Sequence, residues 1–220
     1  MKKFFKFALL ALLVFLILVV LYAFWFWGGV KSVPEWYSPP PPMPTHLADS
    51  IFKRTKDRLL NAYNAARADP RDPGKAIFSF IADNRTLEAW VLLHLDDEME
   101  EYGFTRPQVQ KVGENTLRVF AEVTKGPLAG AVLYTTVKLS ATPDGKLLVE
   151  PGPIMAGKRK VPSFVTARIE ERTGRKWGPF EVAPSEIPVP ADEGPVHIGA
   201  KLLKVEVGDK ETVFTLKRLK

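Results

Sequence analysis

Residues 7–27 carry no charged side chain. At about 1.5 Å per residue a helix of that run is roughly 30 Å long, the thickness of a bilayer core. It closes on Tyr22, Phe24, Trp25, Phe26 and Trp27 instead of a small-x-small cleavage site, so it predicts an uncleaved transmembrane anchor in place of a signal peptide. Lys2, Lys3 and Lys6 precede the run, while Lys31 and Glu35 nearly cancel behind it. The positive-inside bias then puts the N-terminus in the cytoplasm and everything after the span outside an inner or plasma membrane. Trp25, Trp27, Trp36 and Tyr37 suit the outer interfacial belt, although Trp36 and Tyr37 suit packing on a folded domain equally well.

Hydrophobic periodicity stops over residues 28–46, a linker with four consecutive prolines. Such a run is extended at about 3 Å per residue, which predicts a stiff arm holding the folded part off the bilayer. A 3.6-residue period starts next: Phe52, Leu59, Tyr63 and Ala66 share a stripe, Thr45 or Asp49 is available as N-cap, and Pro70 ends the helix. "AIFSFIAD" reads as a short strand. "DNRTLEAWVLLHLDDEMEEYG" reads as a second helix, with Leu87, Trp90, Val91, His94 and Leu95 at helical spacing and Gly103 as its stop.

The period then switches to two. Leu117, Val119, Ala121 and Val123 alternate in one strand, and Leu133, Thr135, Val137 and Leu139 in a longer one that returns through a Pro-Asp-Gly turn. A proline-started helix follows, with Pro162 in its first turn, Val161, Val165 and Ile169 as its stripe and Gly174 behind it. "WGPFEVAPSEIPVPADEGP" reads as a proline-spaced strap, and two alternating strands around Gly208 and Asp209 close the chain. Segregated helices and antiparallel hairpins make an α+β domain over 47–220, with helices packed on one face of a sheet of four to six strands.

Charge and composition narrow the function classes. There is no cysteine, so disulfides and thiol chemistry are excluded. The net charge is +6, and removing the three N-terminal lysines leaves +3, too little to argue for nucleic acid. His46, His94 and His197 have no metal-ligand spacing, so neither a metal nor another cofactor is expected. Ser50, Ser163 and Ser185 lie in no nucleophile motif. In "LDDEMEE" a wall-polymer hydrolase would draw its carboxylates from Asp96, Asp97 or Glu98, but the run reads better as a solvated helix face.

One asymmetry remains. Lys158, Arg159, Lys160, Arg168, Arg172, Arg175 and Lys176 cluster against only Glu170 and Glu171. Anionic head groups or wall polymers fit such a patch, at about 1 kcal/mol per cation near a charged surface; a solvated helix face fits the same charges.

An N-terminal anchor, then "FSFIADNRTLEAWVLLHLDD", then long strands ending in "KLLVEPGPIMAGKRKVPSFVTARIEE" resembles the YpmS-like membrane-anchored proteins, and the later part is similar to the LmeA-like envelope proteins. The resemblance spans residues 76–220. The chain departs from it in lacking an Asn after the Thr-x-x-Leu-like helix start and in the basic "KRK" of its Gly-to-Pro turn. It implies a fold related to the tubular lipid-binding (TULIP) domains, a helix laid along a long, curved antiparallel sheet. Leu87, Val91 and Leu95 would then face Leu133, Val137 and Leu139 across an acyl-chain groove, with Lys158, Arg159, Lys160, Arg168 and Arg172 at its mouth for anionic head groups. The bland counterpart is that the same stripes form a closed core. The expected function is a non-catalytic, single-pass lipid-binding or lipid-handling module of the bacterial envelope, with phospholipid or another anionic lipid as ligand; the alternative is an envelope scaffold that binds another protein.

Overall fold

The computed structural model describes residues 15, 17–19, 21–39, 41, 43–66, 76–94, 103–126, 128–163, 166–167, 170–171, 176–184 and 199–219. The described residues between 15 and 30 are helical and are termed α1. Among the described residues no helix is long and apolar enough to cross a membrane. Much of the expected span, 7–14, 16 and 20, lies outside them.

Helix α2 runs Thr45–Ala65 and strand β1 Ile77–Asp83, followed directly by α3, Asn84–His94. Ala48, Phe52, Thr55 and Leu59 form the buried face of α2, the predicted stripe set one turn further towards its start. Its N-cap is Pro44, and neither Thr45 nor Asp49 caps it through a side chain. Helix α3 has the side-chain cap that α2 lacks. Asp83, the last residue of β1, accepts hydrogen bonds from the backbone N–H and the hydroxyl of Thr86, both at 2.7 Å. The two helices touch through a buried hydroxyl pair, Thr55 and Thr86, at 3.2 Å. Gly103, expected as the stop of this helix, has φ +69 and lies just before a strand; residues 95–102 lie outside the described set.

Strands β2 (Phe104–Gly113), β3 (Thr116–Val123), β4 (Val132–Ala141), β5 (Leu147–Pro151) and β8 (Phe180–Val182) pair in that order. Two short strands, β6 (Met155–Ala156) and β7 (Arg159–Lys160), branch from β4. The closing hairpin, β9 (Ala200–Val207) and β10 (Glu211–Arg218), joins β1 in a second sheet ordered β1-β10-β9. The protein is thus α+β with antiparallel pairing throughout, but it has two sheets where one was expected. Strand β1 separates from its sequence neighbours because its partner is the end of the chain.

Strands β2 and β8 correct the sequence reading, as does the short β7 within the stretch read as a basic turn. Strand β2 was missed because Pro107 and Arg106, which has φ +53, interrupt its alternation; the register to β3 shifts between Thr105 and Gln108. A proline is tolerated there because β2 is an edge strand and the irregularity is a bulge. Strand β8 lies within the proline-spaced strap and pairs with β5, and Lys146 on β5's side holds Glu181 at 2.8 Å. The remainder of the strap, 185–195, is outside the described residues, as are parts of the proline-started helix; its residues 163, 166, 167, 170 and 171 are helical.

The main core lies between the sheets and the helices. Phe52 and Leu59 of α2 meet Phe78, Val109, Leu117, Leu139, Leu202, Val205, Val207 and Leu216. Each such side chain contributes about 1.5–3 kcal/mol on burial. The sheets are also stitched by polar bonds. Leu202 N–H donates to Gly145 O at the β4–β5 turn (2.8 Å), and Val207 N–H to Asn115 Oδ1 (3.1 Å).

Candidate functional site

A second, smaller core explains the basic turn. Val30, at the end of α1, is 2% exposed and packs with Ala131 and Ala156, while Phe26, Leu128, Leu133 and Val161 close around them. The turn between β6 and β7 holds the backbone of the same segment. Lys158 N–H donates to Gly29 O (3.0 Å), which also accepts from the Ser32 hydroxyl of its own segment (2.6 Å), while Gly157 N–H ties the turn to β4 through Val132 O (2.9 Å). Gly157 is needed twice over. It has φ +55, and a Cβ there would sit 2.5–2.6 Å from the carbonyl oxygens of Gly29 and Ser32 and closer still to that of Val30.

The cations of the turn divide into separate roles. The Arg159 guanidinium lies over the Trp25 ring, 3.3 Å from its centroid, and its Nε is buried with no hydrogen-bond partner among the described residues. Lys158 makes an exposed ion pair with Glu35 at 3.4 Å, and Lys160 is exposed. Arg168 and Arg172, expected in the same set, lie outside the described residues.

From Val30 the chain crosses to the other face of the larger sheet. Successive residues of a strand point to opposite faces, so Leu133 faces α1 while its neighbour Tyr134 faces away. There Trp36 meets Phe120 and Tyr134 edge-on, each at 5.1 Å between centroids, and the Arg118 guanidinium stacks on it at 3.9 Å. Tyr37 packs on Phe120 and donates to Glu122 Oε2 (3.3 Å), which also pairs with Arg106 (3.3 Å). Burial, and after it the Glu122 carboxylate, raises the Tyr37 pKa; burial lowers that of Arg118. The arm expected to stand free therefore grips the sheet on both faces from Gly29 to Tyr37, because Val30 and Trp36 gain more from apolar contact than an extended chain gains from water. Ser38, Pro39 and Pro41 beyond it are exposed or outside regular structure.

The six apolar residues expected to line a groove do not come together as one set. Leu139 belongs to the main core, and Leu87 and Val137 pack against it. Leu133 belongs to the smaller cluster with α1. Val91 is half-buried, and Leu95 lies outside the described residues. Trp90 stands at the exposed rim of α3. Asp96, Asp97 and Glu98 are likewise outside the described set, as are His197 and Ser185. No group of acidic, histidine or cysteine side chains suited to a metal occurs among the described residues.

No protein-family model, no curated protein and no solved structure matches the chain.

The two aromatic residues noted as suited to a folded domain, Trp36 and Tyr37, were the legible part of this junction. The role of Gly157 was not, since the carbonyl groups of Gly29, Val30 and Ser32 that leave no room for a Cβ there lie 125 or more residues earlier.

Proposed function

We propose that the protein is a single-pass, non-catalytic envelope module that binds anionic lipid at the outer surface of the membrane that anchors it. The observation that carries this reading is that the basic turn 157–160 is clamped to the end of α1. Phe15, Leu18, Leu21, Tyr22 and Phe24 of that helix are exposed, Phe24 by 74%. Apolar side chains exposed on several sides of a helix, before the end that packs on the domain, suit a lipid surround. Trp25 and Trp27 then lie at the interfacial level, and Lys158 and Lys160 are held at the depth of lipid phosphates. The resemblance to TULIP-related envelope proteins supports lipid as the ligand class. Head-group binding at the turn is independent of an acyl groove, whose expected residues are divided between two clusters.

The test is native mass spectrometry of the detergent-solubilised full chain offered phosphatidylglycerol or phosphatidylcholine. Retention of the anionic lipid is expected to fall about tenfold in Lys158→Gln/Lys160→Gln, given roughly 1 kcal/mol per cation and incomplete additivity. Equal retention of both lipids, or no change in the variant, would overturn the reading.

A further inference from the structure

Strand β1 pairs with β10 in unbroken register from Ile77 opposite Lys217 to Asp83 opposite Glu211, and among the described residues it has no second strand partner. The bond from Asn84 N–H to Lys210 O (3.0 Å) fixes the phase of that ladder. Even-numbered residues of β1 direct their backbone groups to β10, so Ile77, Ser79 and Ile81 direct theirs to the open edge. Their side chains are on the outward face, Ile77 46% and Ile81 48% exposed.

The other long edge strands, β2 and β9, are protected, and β8 is an edge of only three residues. Strand β2 carries Pro107 and a bulge, and β9 carries Lys201 and Lys204, both exposed, and is tied through Leu202 to Gly145. These are the usual devices against edge-to-edge pairing. Between Ile77 and Ile81 the edge of β1 has none of them.

The sequence of that edge is its own mirror: Ile77-Phe78-Ser79-Phe80-Ile81 reads the same in both directions. We propose that β1 is a homodimerisation edge, pairing antiparallel with β1 of a second copy about a two-fold axis through Ser79. In that register Ile77 lies opposite Ile81 of the second copy, and Phe78 opposite Phe80. The three outward pairs are all of the hydrogen-bonded kind and supply about six backbone hydrogen bonds. A two-fold interface must be self-complementary, which a palindromic strand satisfies without further change. Val213, beside Ile81 on β10, extends the apolar stripe, while Phe78 and Phe80 keep their places in the core. The three-stranded sheet becomes one of twice the width. The proposal stands apart from lipid binding and uses none of the residues of the basic turn.

The chain has no cysteine, so Ser79→Cys introduces a single thiol. Hydrogen-bonded antiparallel partners are about 5.5 Å apart between Cα atoms, inside the roughly 4.4–6.8 Å reach of a disulfide. In the full chain in membranes, mild oxidation is expected to give a disulfide-linked dimer roughly tenfold more than the control Ser50→Cys at an exposed position of α2, because only the first thiol is held at high effective concentration. Adding Ile81→Lys should reduce the crosslink to the level of the control. Equal crosslinking of the two cysteine variants would overturn the proposal, as would a Ser79→Cys crosslink indifferent to Ile81→Lys, or one joining the chain to a different protein.

Discussion

The guanidinium carbon of Arg159 lies over the ring of Trp25, 3.3 Å from its centroid, joining a two-residue strand of the folded domain to a helical residue more than 130 positions earlier. Stacking of this kind is worth about 1 kcal/mol. Arg159→Ala in the reconstituted full chain is expected to speed hydrogen exchange of the Lys158 amide, which is bonded to Gly29 O, about fivefold. Arg159→Lys should give most of that effect, since an ammonium keeps the charge and loses the plane. An unchanged exchange rate in both variants would remove the pair from the account of the junction.

Gly157→Ala tests the backbone side of the same contact. A left-handed φ and a Cβ driven into three carbonyl oxygens together should cost about 2 kcal/mol or more. The expected result is a domain that still folds but whose residues 28–37 become sensitive to protease. Resistance equal to that of the unaltered protein would show that the turn tolerates a side chain.

Trp36→Ala removes the wedge on the opposite face. The ring contacts Phe120, Tyr134 and Arg118, and truncating a half-buried aromatic of this size should lower stability by roughly 2–3 kcal/mol. Equilibrium urea unfolding followed by far-ultraviolet dichroism reads this directly. Trp36→Phe should recover part of the loss, and a midpoint unmoved in both would mean the aromatic cluster contributes nothing to the fold.

Glu88 on α3 gives a pH signature. Burial raises its pKa above the usual carboxylate range, against the opposing hydrogen bond from Val109 N–H to its Oε1 at 3.3 Å. A carboxyl whose folded pKa is raised binds protons more readily in the folded state, so stability falls as pH rises through this window, and the penalty is complete above the folded pKa. Glu88→Gln keeps an acceptor for Val109 and cannot ionise. It is expected to raise the melting temperature at about pH 7 and to make no difference at about pH 3, below the ordinary glutamate pKa. A destabilised variant at neutral pH would reverse the assigned sign.

What the sequence made legible was whatever its local period encodes. The alternation of Leu133 to Leu139 predicts β4, the stripe of Phe52 and Leu59 predicts α2, and Gly208-Asp209 predicts the last turn. Strand β2 was hidden because Arg106 and Pro107 sit in a bulge, where alternation is lost although the ladder resumes at Gln108. The division into two sheets was hidden because the partner of β1 is set by tertiary contact and not by spacing along the chain. The junction was the least legible part. Its basic turn announces charge, whereas its structural work is done by Gly157, by the Lys158 N–H and by the guanidinium of one arginine over a tryptophan ring, none of which leaves a periodic trace.

The pairing of β1 with β10 also sets a clock. Strand β1 leaves the ribosome early, yet its partner is made roughly 130 residues later. At about 5–20 residues per second, that interval is on the order of ten seconds. Throughout it, "IFSFI" has β propensity, no charge and no strand to complete. The newborn chain must be kept apart from its neighbours until its last eight-residue strand arrives, so a protein truncated before Glu211 is expected to aggregate through the same five residues.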